Sequence, residues 1–248
     1  MQNNFPKADL KKTKIVCTIG PASDSVEIIE GLIDAGMNVA RMNLSHGNRD
    51  EHKKIINNLR IAAKNKKMYL PILADLPGPK YRVGEISNGS MEVEVDQEII
   101  FDCNSENISQ KSINIWPNGL SKDIEEGAIL MIDDGAVELE VINISETIIE
   151  TKVKLSGKIS SNKAVVARGF PSMLDYFTEE TESALSFVDS NDIDYIGLSY
   201  VRNSEDIKSV KKKLSNKKLR IISKIELQKA LDNLDEIIDN SDVVMVAR

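Results

Sequence analysis

The sequence predicts an α/β protein, a (β/α)8 TIM-type barrel of which about six strands are present, with a small antiparallel β-barrel domain inserted into it. Short apolar segments alternate with amphipathic helical segments in the first and last thirds of the chain, as in βα units around a parallel sheet. The middle third has no convincing long helix. A closed barrel needs eight strands, so a complete, doubly wound open sheet is the alternative fold at this stage.

The first third predicts strands and helices in strict alternation. They are a strand at 13–20, a helix at 24–36, a strand at 37–44, a helix at 49–65 and a strand at 69–76. Asp24 or Ser25 is suited to cap the first helix. In the second helix Ile55, Ile56 and Leu59 share one face. His52, in the first turn of that helix, is expected at the surface.

The middle of the chain predicts a domain of short strands. The segments EVEV, ELEVI and KVKL alternate apolar and polar residues with period two, which is typical of strands buried on one face. The lone Trp116 is expected in the core of this domain. The predicted domains are therefore 1–79 for the first part of the barrel, 80–169 for the insertion and 170–248 for the continued barrel.

The last third returns to βα units. It predicts a helix at 178–190, a strand at 194–201, a helix at 203–214, a strand at 220–226, a helix at 227–239 and a strand at 242–248. Thr178 is a suitable helix cap.

The composition of the chain argues against several functional classes. Lys and Arg number 32 and Asp and Glu number 39, so the net charge is −7, which disfavours a nucleic-acid partner. Two cysteines without CxxC spacing favour reduced thiols. No apolar run approaches about 18 residues, so no membrane contact is expected. The protein is expected to be cytoplasmic.

Charged and polar residues stand where the predicted parallel strands end. They are Arg41, Asn43, Ser45 and His46 after the second strand, Asp75 in the third, Lys224 and Glu226 in the fifth, and Arg248 in the sixth. Active sites of βα folds lie at this edge of the sheet. The charges either satisfy one another as buried ion pairs or bind a phosphorylated anion and a hard cation. Glu226 and Asp75 would suit Mg²⁺ or an alkali cation.

A resemblance to a known family covers the whole chain. It rests on TKIVCTIGPAS (13–23), DAGMNVARMNLSHG (34–47), IDDG (132–135), GKISSNK (157–163), DYIGLSYVR (194–202), ISKIE (222–226) and VMVAR (244–248). In these segments the sequence resembles pyruvate kinase. The resemblance implies a barrel with a β-rich lid inserted after the third strand, and transfer of a phosphoryl group from phosphoenolpyruvate to ADP, giving pyruvate and ATP in the last step of glycolysis.

The resemblance also implies residue roles. Arg41 and Lys224 would be catalytic and, with Arg248, would bind the substrate. Glu226 would be a ligand of Mg²⁺, and Asn43, Ser45 and Asp75 would hold a monovalent cation. The nucleotide would be approached by Asn43, Ser45, His46, Arg82 and Lys163.

Two departures from the family pattern matter. The usual DTKGPE motif is DLPGPK here, so Leu76 replaces a threonine and Lys80 an acidic residue. This resembles the branch of the family that works without K⁺, with the Lys80 ammonium taking the place of the cation. The segment 164–177 also differs from the family's return from lid to barrel.

The family sequence continues past the VAR that ends at Arg248. A second Mg²⁺ carboxylate and the helix that binds the substrate carboxylate lie in that continuation, so the 248 residues alone are expected to be inactive. The complete protein is expected to be a homotetramer. Alternatives are a non-catalytic regulatory protein with the same barrel face and another Mg²⁺-dependent lyase or aldolase. The coding sequence past codon 248 would distinguish a pyruvate kinase, in which Gly-Asp should follow, from the non-catalytic protein, in which a stop codon should follow.

Overall fold

The computed structural model describes residues 12–104, 112–170, 172–216 and 218–247. The chain divides into two compact units, of which the first runs to Gly78 and resumes at Tyr176, and the second is Pro79–Asp175. Within the described ranges, none of the helices combines the length and the apolar composition needed to cross a bilayer.

The start of the first unit contains three strands and two helices. They are β1 (Ile15–Thr18), α1 (Val26–Asp34), β2 (Met37–Asn43), α2 (Arg49–Asn65) and β3 (Ile72–Leu76). Ser25 caps α1 by accepting a hydrogen bond from the backbone N–H of Ile28. Asn48 caps α2, and Glu51 completes a capping box by accepting from the Asn48 backbone N–H.

The second unit is almost entirely β structure. Its elements are β4 (Tyr81–Val83), β5 (Ser90–Val93), β6 (Glu98–Asp102), β7 (Ile113–Trp116), α3 (Leu120–Asp123), β8 (Ile129–Ile132), β9 (Val137–Ser145), β10 (Ile148–Leu155), β11 (Gly157–Ser160) and β12 (Ala164–Ala167). Apart from the single turn of α3, its described residues include only a 3-10 turn at Ser87–Gly89 as helical structure.

The rest of the first unit continues the alternation. Its elements are α4 (Glu179–Asp189), β13 (Tyr195–Leu198), α5 (Ser204–Lys213), β14 (Arg220–Ile225), α6 (Gln228–Asp232), α7 (Leu234–Asn240) and β15 (Val243–Val246). The predicted helix at 227–239 is divided at Asn233, whose backbone is not helical (φ −114°, ψ 25°). The Asn233 side-chain amide donates to the carbonyls of Arg202 and Lys229, which fixes the break.

The six strands of the first unit form one parallel sheet in the order β1-β2-β3-β13-β14-β15. This order follows the chain without reversal. A doubly wound sheet reverses its strand order at a switch point, so that alternative is excluded and the barrel prediction is confirmed. Apolar residues of these strands and of the surrounding helices form one core. Strand β3 is buried along its whole length, as expected for a central strand of a parallel sheet.

The second unit is a closed barrel of seven strands in the order β10-β6-β7-β4-β12-β8-β9, with β5 and β11 paired beside it. The expectation of a wholly antiparallel barrel was wrong at one pair, because β6 and β7 are parallel. Strands this short carry no sequence signal that distinguishes the two directions.

Two further details of the second unit differ from the sequence predictions. Trp116 is 37% exposed, because alternate residues of a strand point to opposite faces and its neighbour Ile115 occupies the core. The second unit also extends to residue 175 rather than 169. Phe170 and Leu174 pack against its core, and the Met173 backbone N–H donates to Asp123 at 2.8 Å.

Candidate active site

A buried carboxylate joins the ends of three parallel strands of the first unit. Asp75, in β3, is only 3% exposed. Its Oδ2 accepts hydrogen bonds from Arg41 Nε at 2.9 Å and Nη2 at 2.5 Å. The Lys224 ammonium lies 3.2 Å from Oδ1 and 3.3 Å from Oδ2. Two cations therefore compensate the charge of Asp75. Compensation is needed because a buried, unpaired charge is strongly destabilising.

Arg41 has a fixed orientation at the end of β2. Besides the two donors directed at Asp75, its Nη1 donates to the Thr18 hydroxyl at 2.7 Å. Thr18 ends β1, so the planar guanidinium is held from two neighbouring strands. The Arg41 side chain is still 29% exposed, and a ligand can therefore reach it.

Lys224 occupies the centre of the arrangement. Its ammonium contacts Asp75, Glu226 Oε1 at 3.1 Å and the Ser199 hydroxyl at 2.9 Å. Lys224 is 9% exposed. The other oxygen of Glu226 accepts from the Tyr200 backbone N–H at 2.8 Å. We call Arg41, Asp75, Lys224 and Glu226 the four-charge network, in which cations and carboxylates alternate and the formal charges cancel.

Ser199 and Tyr176 were missed by the sequence analysis. The Ser199 hydroxyl is buried and donates to the Leu76 carbonyl at 2.7 Å, while its oxygen accepts from Lys224. Tyr176 donates its hydroxyl to the Ser199 carbonyl at 3.1 Å. Burial raises the pKa of Tyr176 well above its ordinary value, so the phenol stays a hydrogen-bond donor.

The loop after β2 is ordered by the first turn of α2. Asn43 Oδ1 accepts from the Ser45 backbone N–H at 3.1 Å. His46 is exposed, and its carbonyl lies 2.8 Å from His52 Nε2. Gly47 has φ +77°, a backbone conformation that other residues seldom adopt, so this turn favours glycine.

His52 is buried, contrary to the surface position expected. It is 4% exposed, and its ring centroid lies 5.8 Å from that of Phe187. Burial lowers the pKa of His52, and no protein atom partners its Nδ1. The neutral tautomer with hydrogen on Nε2 fits, because the His46 carbonyl can only accept.

The predicted cation ligands Glu226, Asn43 and Asp75 all lie in the first unit. Mg²⁺ is commonly held by one or two carboxylates together with water and substrate phosphates. Glu226 supplies such a carboxylate, and its two oxygens contact the Lys224 ammonium and the Tyr200 backbone N–H. Among the described residues there is no group of three His, Cys, Asp or Glu side chains placed to hold a metal ion. Asn43 and Asp75 are register partners on β2 and β3, but their side-chain oxygens already accept hydrogen bonds from the protein.

Comparison with known proteins assigns the chain to a family. A family model described as the barrel domain of pyruvate kinase matches residues 10–248. The chain belongs to the pyruvate kinase family. Pyruvate kinases from Sporosarcina psychrophila and Staphylococcus aureus strain MRSA252 are 39% and 37% identical to it, each over 96% of this chain. The chain spans 42% of the length of each of these two relatives.

A solved pyruvate kinase gives the same result. The crystal structure of a pyruvate kinase from Cryptosporidium parvum matches with a TM-score of 0.85 and 32% sequence identity. The match covers 95% of this chain and 50% of that one. The parallel barrel sheet and the inserted barrel described above are thus those of the pyruvate kinase family.

The remaining predicted site residues lie elsewhere in the chain. Arg82 and Lys163 belong to the second unit, on or next to the paired strands β4 and β12. Lys163 forms an ion pair with Asp133 at 3.0 Å. Lys80 also belongs to the second unit, and Arg248 lies outside the described residues.

Proposed function

We propose that this chain carries the phosphoryl-transfer site of a pyruvate kinase, which converts phosphoenolpyruvate and ADP into pyruvate and ATP. The observation that carries the proposal is the four-charge network at the carboxyl ends of the barrel strands. Buried ion pairs are seldom more stabilising than apolar side chains of the same volume. Four such charges at the edge where barrel enzymes bind substrates therefore support a catalytic role.

In the proposed reaction, the bond between phosphorus and the enol oxygen of phosphoenolpyruvate breaks. A new bond forms to a terminal phosphate oxygen of ADP, and the enolate left behind takes up a proton to become pyruvate. Arg41 binds the phosphoryl group through its fixed guanidinium. Lys224 neutralises the negative charge that grows on the transferring group and on the enolate oxygen.

Three further sets of residues complete the proposal. Glu226 would hold Mg²⁺, which, when bound, neutralises phosphate charge during transfer. Asn43, Ser45, His46, Arg82 and Lys163 would approach the nucleotide. Asp75 and Ser199 would position Lys224, because both hold its ammonium.

The test is a direct assay of both products in the protein as its gene encodes it. With phosphoenolpyruvate, ADP and Mg²⁺, pyruvate and ATP should form in equal amounts, and omission of ADP should stop both. Release of pyruvate without ATP would contradict phosphoryl transfer to the nucleotide. Absence of both products from folded protein would contradict the proposed function altogether.

We also propose that the reaction needs Mg²⁺ but not K⁺. Leu76, where relatives of the common pattern have threonine, is buried and offers no side-chain oxygen to a cation. The Lys80 ammonium carries a positive charge that can replace that of K⁺. The rate without K⁺ should therefore equal the rate with K⁺ at constant ionic strength.

The matched variants are Lys80→Glu and Lys158→Glu, the latter at an exposed lysine of the same unit. Lys80→Glu should lower the rate in K⁺-free buffer, and added K⁺ should partly restore it. Lys158→Glu should behave as the unmodified protein. A rate of the unmodified protein that rises steeply with K⁺ would overturn this proposal.

A further inference from the structure

An exposed tryptophan lies against an arginine on the barrel of the second unit. Strands β4 and β7 are antiparallel, and Arg82 and Trp116 are register partners in this pair. The guanidinium carbon of Arg82 lies 6.0 Å from the centroid of the Trp116 ring, which is the separation of a cation–π contact. Trp116 is 37% exposed, so one side of the ring faces Arg82 and part of it faces solvent.

A hydrogen bond also holds the Arg82 side chain. Arg82 Nη1 donates a hydrogen bond to the Asn162 carbonyl at 3.0 Å. The next residue along the chain is Lys163, whose ammonium pairs with Asp133. A carbonyl oxygen and an aromatic face together therefore restrict an arginine side chain that would otherwise sample many rotamers.

We infer that Trp116 is a positioning residue for Arg82 in nucleotide binding, an inference that rests on the proposed function. The ring restricts the position of the guanidinium before ADP arrives. Binding then costs less side-chain entropy than it would for an unrestrained arginine. Because Trp116 touches Arg82 rather than the reacting atoms, its loss should affect ADP affinity and leave the chemical step unchanged.

Fluorescence tests the contact without any turnover. Trp116 is the single tryptophan of this chain. In the protein as its gene encodes it, the emission of Trp116 is the difference between the spectrum of the unmodified protein and that of Trp116→Phe. Arg82→Met should change that emission in the absence of nucleotide. Arg168→Met, at an exposed arginine of the same unit that pairs with Glu138, should not. Equal spectra for the unmodified protein, Arg82→Met and Arg168→Met would contradict the contact between Arg82 and Trp116.

Calorimetric titration with ADP tests the positioning role. Trp116→Leu should raise the Kd for ADP by about two- to fivefold, the change expected for loss of a partly exposed cation–π contact. Trp116→Phe, which keeps an aromatic face, should retain most of the affinity for ADP. The turnover number and the KM for phosphoenolpyruvate should stay unchanged in both variants.

Each outcome has a separate meaning. If Trp116→Leu lowers only the melting temperature and leaves the Kd for ADP unchanged, Trp116 is merely structural and the inference is overturned. If no ATP forms although ADP binds, the proposed function fails while the titration still decides the role of Trp116. If the leucine variant does not fold, Trp116→Val replaces it, because valine favours strands.

Discussion

Replacing Lys224 by alanine is expected to lower the turnover number by several orders of magnitude, while the KM for phosphoenolpyruvate changes far less. The ammonium is preorganised by Asp75, Glu226 and Ser199, so it needs no reorientation when charge develops. Fixed charges of this kind act mainly on the transition state. Steady-state kinetics with varied phosphoenolpyruvate at saturating ADP separates the two parameters.

Lys66→Ala is the matched control. Lys66 forms an ion pair with Asp34 at 2.5 Å, and the Asp34 side chain is 62% exposed. The same chemical change is therefore made at a residue outside the four-charge network. The control should keep the turnover number. A Lys224→Ala variant that binds phosphoenolpyruvate weakly but turns over normally would show that Lys224 only binds the substrate.

The sequence predicted which residues meet at the site because parallel strands share a direction. The positions of Arg41, Asp75, Lys224 and Glu226 at strand ends are sufficient to predict that these residues lie together, without knowledge of the strand pairing. The same rule applies to Ser199, which directly follows the apolar strand Tyr195–Leu198. It was missed because a lone serine after a strand is too common to single out.

The pairing inside the site could not be predicted. That one carboxylate, Asp75, is shared by Arg41 and Lys224 depends on strand register and on side-chain rotamers, which residue spacing does not determine. Tyr176 reaches Ser199 only because the chain re-enters the first unit at that residue. No local pattern in the segment 164–177 indicates this contact.

Two misassigned side chains did have a signal in the sequence. His52 precedes Ile55, Ile56 and Leu59 by three, four and seven positions, which places it on the apolar face of α2. Trp116 alternates with Ile115, so only one of the two could face the core. Residue type suggested a surface histidine and a core tryptophan, but periodicity was the better guide in both cases.

Replacing Asp75 by alanine should lower the free energy of unfolding by about 3 kcal/mol. The variant leaves Arg41 and Lys224 without the carboxylate that they share, although Lys224 keeps Glu226. Equilibrium unfolding in urea measures the loss, and an unchanged m value would show that the unfolding reaction is the same. Asp34→Ala, which breaks the exposed pair with Lys66, should cost no more than about 1 kcal/mol.

A double variant separates lost packing from uncompensated charge. If the cost of Asp75→Ala comes from uncompensated charge, then adding Arg41→Met removes the cation that Asp75→Ala leaves without a carboxylate and should recover part of the stability. If the cost comes from a cavity, the second substitution should recover nothing. Equal losses for Asp75→Ala and Asp34→Ala would contradict the network altogether. Asp75 would then compensate no buried charge, and the positioning of Lys224 would need another explanation.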